Sequence, residues 1–255
     1  MNSTEVLEAN KRFYDQIASV YEQADSRRAD HVDHSWIDPL LQSFNPAQKP
    51  LKFLDAGSGS GFLSLKAQHF FQDLTLVDIS QKMLDRIPLK SASKICADCS
   101  HIPLPDQSFD VIGAFATLHH LFDPKDFFRE THRLLKPGGI LYTDHDIEKH
   151  FIQHFGIPLR AYRWFFDHGP KYLKLCPEAR KDDYFTSEFH GQRGLDVNVL
   201  ADQLKALGFE VETKLCHWEG MGPVAKTLSQ LKLQKPLTRK GFAPVLRLIA
   251  RKKNS

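Results

Sequence analysis

Residues able to do chemistry are concentrated around Leu54-Asp55-Ala56-Gly57-Ser58-Gly59-Ser60-Gly61, where glycines recur at every second position behind an acid. Glycine tolerates the left-handed backbone of a tight turn and puts no side chain in a ligand's way. Backbone N–H groups can then approach acceptor oxygens, helped by the N-terminus of a helix predicted over 62–70. The spacing is not that of a dinucleotide fingerprint. G-x-G-x-x-G needs its third glycine at position 62, which is Phe62, so a nicotinamide cofactor is disfavoured. Downstream, Leu74-Thr75-Leu76-Val77 ends in Asp78, an acid placed to accept the hydroxyls of a ribose.

Other reactive side chains are more ambiguous. His119 and His120 follow an apolar run and can take a proton near neutrality. Asp144-His145-Asp146 ends the next strand and offers a base or ligands for a divalent ion, although an isolated triplet of this kind more often caps a strand. Asp30-His31-Val32-Asp33-His34 puts two histidines on one helical face, and Cys96-x-x-Cys99 with His101 looks like half a zinc site. Neither has a complementary pair, with Cys176 and Cys216 isolated, so no metal centre is expected.

These residues need a scaffold. Leu51–Leu54, Leu74–Val77, Lys94–Ala97, Val111–Ala116 and Ile140–Thr143 read as strands alternating with helices, the pattern of a parallel sheet covered on both faces. A helix carrying Phe127, Phe128, Leu134 and Leu135 is predicted to stop at Lys136-Pro137-Gly138-Gly139. Upstream, helices are predicted over 4–24 and about 30–44. Residues 147–190 break the rhythm and are rich in aromatics, among them Phe151, Tyr162, Trp164, Tyr172, Tyr184 and Phe189. They are predicted to form an inserted lid over the carboxyl edge of the sheet, where ligands bind in such folds. A helix capped by Asp196 and ending at Gly208, a strand over 209–218 and a last, antiparallel strand at Pro244–Ala250 complete the chain.

The glycine turn, the acid Asp78, the pair Asp98-Cys99 after the third strand and the Lys-Pro-Gly-Gly turn together resemble the class I S-adenosylmethionine (SAM) methyltransferases. Phe13-Tyr14-Asp15-Gln16-Ile17-Ala18-Ser19-Val20-Tyr21 is similar to the N-terminal helix of the branch containing the ubiquinone and menaquinone biosynthesis enzymes (methyltransferase type 11). The resemblance implies a Rossmann-like α/β fold with a seven-stranded, mostly parallel sheet of order 3-2-1-4-5-7-6, helices on both faces and an inserted aromatic-rich lid. It implies SAM as cofactor. Gly57, Gly59 and Gly61, with Ala56 and Ser58, would cradle its methionine and ribose part, with Asp55 near the amino group. Asp78 and Ile79 would hold the ribose, Asp98 and Cys99 the adenine. Phe115 and Ala116 would line the wall near the sulfonium, Met83 would be among the cofactor-binding residues, and Tyr14 and Tyr21 would close over the methyl. His119, His120, Asp144 and His145 are the candidates for catalysis. One domain is expected over 1–255: an N-terminal helical part (1–48), the cofactor-binding core (51–146), the lid (147–190) and a C-terminal completion of the sheet (191–255).

With 42% hydrophobic and 25% charged residues the chain has the composition of an ordinary globular protein, and it has no apolar window long enough to span a bilayer. The N-terminus does not read as a secretory signal, and four cysteines make no disulfide framework, so the cytoplasm is the expected compartment. Net charge is only +3, yet Lys226, Lys232, Lys235, Arg239, Lys240, Arg247, Arg251, Lys252 and Lys253 all follow the last acid, Glu219. Such a tail can mark a surface for nucleic acid, but the simpler reading is a solvated helix and an edge strand. The expected acceptor is a small apolar or aromatic metabolite. An RNA or protein acceptor, suggested by the tail alone, and a SAM-binding protein without turnover are the alternatives. Nucleic acid is not the expected partner, and the lack of an Asn-Pro-Pro-Tyr-type tetrad after the fourth strand argues against an exocyclic-amino nucleic-acid methylase.

Overall fold

Alternation along each strand divides its side chains between two apolar layers. In β1 (Lys52–Ala56), Phe53 packs with Leu63, Leu76 and Val111, whereas Leu54 packs with Val77, Ile112 and Leu141 on the other face. Both faces are covered, which is why these strands read as near-continuous apolar runs rather than as apolar–polar alternation. The computed structural model describes residues 2–25, 34–166, 171–191, 193–216 and 243–254, with backbone alone for 158–166.

The helices of one layer are α3 (Ile37–Phe44), α4 (Phe62–Ala67) and α5 (Gln81–Asp85), contributing Ile37, Leu41, Leu63, Ala67 and Leu84 to its core. The other layer holds α6 (Pro124–Leu134), through Phe127, Phe128 and Leu134, and a helix over Val197–Ala206, through Leu200 and Leu204. Between them lies one seven-stranded sheet of order 3-2-1-4-5-7-6. Its parallel part is β3 (Ser93–Cys96), β2 (Asp73–Asp78), β1, β4 (Phe109–Phe115) and β5 (Leu135–Ile147). Two C-terminal strands, β6 (Phe209–Cys216) and β7 (Val245–Lys252), add antiparallel, with β7 against β5.

Several boundaries differ from the sequence reading. The first helix is split into α1 (Ser3–Ile17) and α2 (Tyr21–Ala24), with the Val20 N–H donating to the Ile17 carbonyl at the break. The Lys136-Pro137-Gly138-Gly139 turn lies inside β5, which begins at Leu135 and shifts register between Phe109 and Val111 of its partner. The last strand, β7, sits between β5 and β6 as the expected order has it, so its basic residues do not lie on the edge strand that the reading of the tail assigned them. Its basic residues are correspondingly used: buried Arg247 pairs with Asp144, and Lys252 Nζ donates to the carbonyls of His132 and Leu135 at 2.7 and 2.8 Å. Lys226 to Lys240 of the basic tail and Asp30 to Asp33 lie outside the described residues.

After β5 come α7 (Lys149–Phe166), α8 (Lys171–Leu175) and α9 (Lys181–Ser187), followed by the Val197–Ala206 helix, α10. A third, smaller core joins them to the N-terminus: Phe13, Ile17, Ala18, Tyr21 and Met83 pack with Cys176 and Ala179. The Tyr172 ring stacks on Tyr21 with centroids 5.7 Å apart, and Tyr184 lies 5.4 Å from Phe13. Arg12 clamps Asp183 of α9 with Nε and Nη2 at 3.1 and 2.8 Å. The segments flanking the parallel core in sequence are thus packed on each other at one end of it.

Candidate functional site

Beyond the carboxyl ends of β1, β2 and β4 is a cavity of about 360 Å³. Gly57, Ser58, Gly59 and Ser60 line it with Asp55, Asp78, Ile79, Asp98, Cys99, Phe115, Ala116, Tyr14, Tyr21 and His120. The volume falls in the range of small-molecule sites.

The glycine turn is shaped from both sides. The Gly57 and Ser58 N–H groups donate to the Val77 carbonyl at 2.8 and 2.9 Å, pinning the turn to β2. Gly57 has φ +70°, and a Cβ there would lie 2.4 Å from Thr117 Cγ2, so neither conformation nor space admits a side chain. Gly59 is different. A Cβ on it would meet only Met83 Cε and the Tyr21 hydroxyl, at 3.8 and 3.9 Å, so its lack of a side chain leaves open room above the turn. Gly61 caps α4 and backs onto Ile87, away from the lining, and Ala56 is likewise buried beneath the turn.

Two buried carboxyl groups flank the turn. Asp78 accepts from the Gly59 N–H at 2.7 Å and the Ser80 N–H at 2.9 Å, which binds the loop to the tip of β2. Burial nevertheless pushes its carboxyl up to about 6. Asp55 accepts from the Ser64 hydroxyl at the start of α4, and burial raises it to about 7. Both carboxylates are held in a site with few cationic neighbours. Such a site favours a ligand that brings hydroxyl and ammonium donors.

The far wall is carried by the loop after β3. Asp98 accepts from the Ser100 N–H at 2.8 Å, and burial lifts the Cys99 thiol well above its ordinary range, leaving it a neutral wall. Glu130 and Arg133 of α6 fix this loop: Glu130 accepts from the Ile102 N–H at 2.7 Å, and Arg133 donates to the carbonyls of Ile102 and Leu104 at 3.0 and 2.8 Å.

The four candidate catalytic residues separate into two groups. His120 reaches the cavity. Its Nδ1 is 2.8 Å from the Ser187 carbonyl, which can only accept, so Nδ1 carries the proton and Nε2 faces the Tyr14 hydroxyl at 3.1 Å. His119, just behind, is held by Nδ1 at 2.8 Å from the buried carboxyl of Asp146. Asp144 and His145 do not line the cavity. Asp144 is fully buried, accepting from the Tyr142 hydroxyl at 2.9 Å and from Arg247 Nε. Burial acts to raise its carboxyl, but His145 and Arg247 together hold it below the usual carboxylate range. His145 stacks on Phe115 at 4.2 Å and has φ +66°, a left-handed conformation that costs a non-glycine residue about 1–3 kcal/mol. Met83, a candidate for cofactor binding, is fully buried under Gly59 and does not line the cavity.

Some contributors have no signature in the sequence. Asn10 of α1 donates to the His120 carbonyl at 3.1 Å, and Ser80 donates to Asp15 at 2.5 Å, tying α1 to both sides of the cavity. Thr117 Oγ1 donates to the Ala56 carbonyl at 3.3 Å.

The strand order, with the glycine turn at β1 and the acid ending β2, is the fold of the class I SAM-dependent methyltransferases. Residues 54–143 match the family described as methyltransferase domain. A demethylmenaquinone methyltransferase of Chlamydia trachomatis is 31% identical over 132 residues, covering 50% of this chain and 57% of that protein. The chain thus spans about half the length of the curated relatives it matches. A crystal structure described as an S-adenosylmethionine-dependent methyltransferase from Mesorhizobium loti superposes with TM-score 0.56 at 20% identity, over 90% of this chain and 99% of that one. The [4+2]-cyclase SpnF superposes with TM-score 0.62 at 18% identity, over 96% of each chain. Family and fold imply SAM as the cofactor. That a cyclase shares the fold shows why the reaction has to be argued from the site.

Among the described residues no helix is long and apolar enough to cross a membrane.

Proposed function

We propose that the chain transfers a methyl group from SAM to a small, apolar or aromatic metabolite. The observation that carries this reading is the cavity itself: a glycine turn with open room above Gly59, closed on one side by buried Asp55 and Asp78 and on the other by Asp98, Cys99 and Phe115. These residues suit a group with an ammonium, ribose hydroxyls and a purine. Asp78 would accept from the ribose and Asp55 would face the ammonium. Asp98 would accept from the adenine amino group, with Phe115 and Ala116 as the apolar wall. Bound there, SAM supplies an electrophilic methyl for in-line displacement, so the protein's task is chiefly alignment and exclusion of water.

The chain's own groups supply those tasks. Tyr14 and Tyr21 of α1 and α2, backed by Tyr172 and Tyr184, wall the cavity with aromatic surface. Residues 147–190 act as the acceptor's lid in this reading, which is supported by the packing of α8 and α9 against Phe13 and Tyr21. His120, its Nδ1 held by the Ser187 carbonyl, and the Tyr14 hydroxyl beside its Nε2 would orient an acceptor hydroxyl toward the methyl. The four thiols, all free, suit a reducing compartment such as the cytoplasm.

Calorimetric titration with S-adenosylhomocysteine, with NAD as control, tests the cofactor assignment. Binding of the homocysteine nucleoside alone supports it; binding of neither by folded protein overturns it. A macromolecular acceptor is the second reading, and its support weakens because Arg247 and Lys252 of the basic tail are spent inside the fold.

A further inference from the structure

His119 and His120 sit side by side on the 3₁₀ turn Leu118–His120, with ring centroids 3.9 Å apart. Glu188, the residue after α9, reaches back to them, its Oε2 lying 3.9 Å from His119 Nε2. Ligand atoms of the three residues fall within 4.8 Å of one another. We propose that His119, His120 and Glu188 form a divalent transition-metal site at the rim of the cavity.

Proximity alone would not carry this; the way the rings are held does. Both imidazoles have Nδ1 committed elsewhere: that of His119 to the Asp146 carboxylate and that of His120 to the Ser187 carbonyl, each at 2.8 Å. Both acceptors place the proton on Nδ1, so both Nε2 atoms carry the lone pair a metal needs. A carboxylate or backbone carbonyl behind a histidine is the usual support of a metal-bound imidazole. Asp146 is fully buried, takes the His119 N–H as well at 2.9 Å, and has an Oδ2 with no hydrogen-bond partner among the described residues. The third ligand is also built in. The His190 N–H donates to the His119 carbonyl at 2.8 Å, docking the loop after α9 on the histidine turn. A Cβ at Gly191 would lie 2.5 Å from Glu188 Oε2, so glycine there leaves the space that the carboxylate occupies.

Two imidazoles and one carboxylate suit borderline divalent ions such as Zn²⁺ and Co²⁺, at metal–nitrogen distances of about 2.0–2.1 Å. Coordination would draw the part-exposed Glu188 carboxylate, now 3.9 Å from His119 Nε2, closer to the imidazoles. Three protein ligands leave a position for water or an acceptor oxygen. The Tyr14 hydroxyl, 3.1 Å from His120 Nε2, is a further oxygen donor beside it. Its role in turnover, holding and acidifying an acceptor hydroxyl, rests on the methyltransferase reading; metal binding does not.

The test is a titration of chelator-treated full-length protein with Zn²⁺, and with Co²⁺ followed by its visible absorption, alongside S-adenosylhomocysteine. One equivalent of Zn²⁺ should bind and displace the Co²⁺ spectrum. Glu188→Gln should weaken binding at least tenfold, and Asp146→Asn by about 10–100-fold through the loosened His119 ring. Either variant should keep its affinity for S-adenosylhomocysteine, which reports that it is folded. Wild-type protein that binds the nucleoside but neither metal overturns the site and leaves the methyltransferase reading standing. Metal binding undiminished in both variants places the ion elsewhere and also overturns it. Metal binding without nucleoside binding supports the site and removes the methyltransferase reading.

Discussion

Replacing Asp78 by Asn tests the cofactor assignment at its most quantitative point. The carboxylate already accepts from the Gly59 and Ser80 N–H groups, and each oxygen retains a lone pair for a ribose hydroxyl. Asparagine has the same shape, keeps one acceptor oxygen and loses the charge. Hydrogen bonds to a charged group contribute about 1.5–3 kcal/mol against roughly 0.5–1.5 for neutral ones. Losing the charge, and one acceptor, should therefore weaken S-adenosylhomocysteine binding about 10–100-fold at pH 8.

The same group sets a pH signature. Its native pKa is raised from 3.8 to about 6, so below pH 6 the native carboxyl is neutral and the wild type should lose up to tenfold in affinity per pH unit. Asp55, raised to about 7, titrates in the same window, so the Asp78 step is the one that Asp78→Asn abolishes. For stability the sign is opposite. The unfolded chain releases these protons near 3.8, before the native state does, so each group lowers stability as pH climbs from about 4 toward 6–7. At neutral pH the buried Asp78 charge costs about 3 kcal/mol, a cost that Asn removes while giving up a backbone bond. Asp78→Asn should accordingly melt within a few degrees of wild type, so weakened binding would not reflect unfolding. Wild-type affinity in the variant at pH 8, or an unaltered pH profile, refutes the ribose assignment.

Gly57→Ala forces a Cβ to within 2.4 Å of Thr117 Cγ2 at a left-handed φ, and should cost about 2–5 kcal/mol in denaturant unfolding, partly relieved by Thr117→Ser. Arg247→Met strands the buried Asp144 carboxylate and should destabilise by about 3–5 kcal/mol, lowering Tm by about 6–20 °C, with the Asp144→Asn double variant recovering most of the loss. Because Asp144 is held below its ordinary 3.8, the pair's contribution should be present at neutral pH and disappear as acid titration passes below about pH 4. Asp183→Ala frees Arg12 and loosens α9 from α1, so methyl transfer should fall while nucleoside affinity stays within about threefold; equal losses of both would remove the lid from the mechanism.

The readable part of this protein was the part whose physics is local. Glycines at 57, 59 and 61, an apolar run before them and an acid after the next run determine a strand, a turn and a helix start without help from distant residues. The same holds for the Asp196 cap of α10, whereas the strand order was implied by the family resemblance and by no local pattern. What lay beyond the sequence is what long-range packing decides. Simple alternation would put Asp144 and Asp146 on one face. An irregularity in β5 between Thr143 and Asp146 rephases the strand, sending Asp144 to Arg247 and Asp146 to His119. The basic tail looked like a solvated surface because, although the expected order put the last strand beside β5, nothing near Arg247 in sequence shows that Asp144 will meet its charge there. The histidine pair gained its meaning only when α9 brought Ser187 and Glu188 onto it, and no pattern within either segment encodes that meeting.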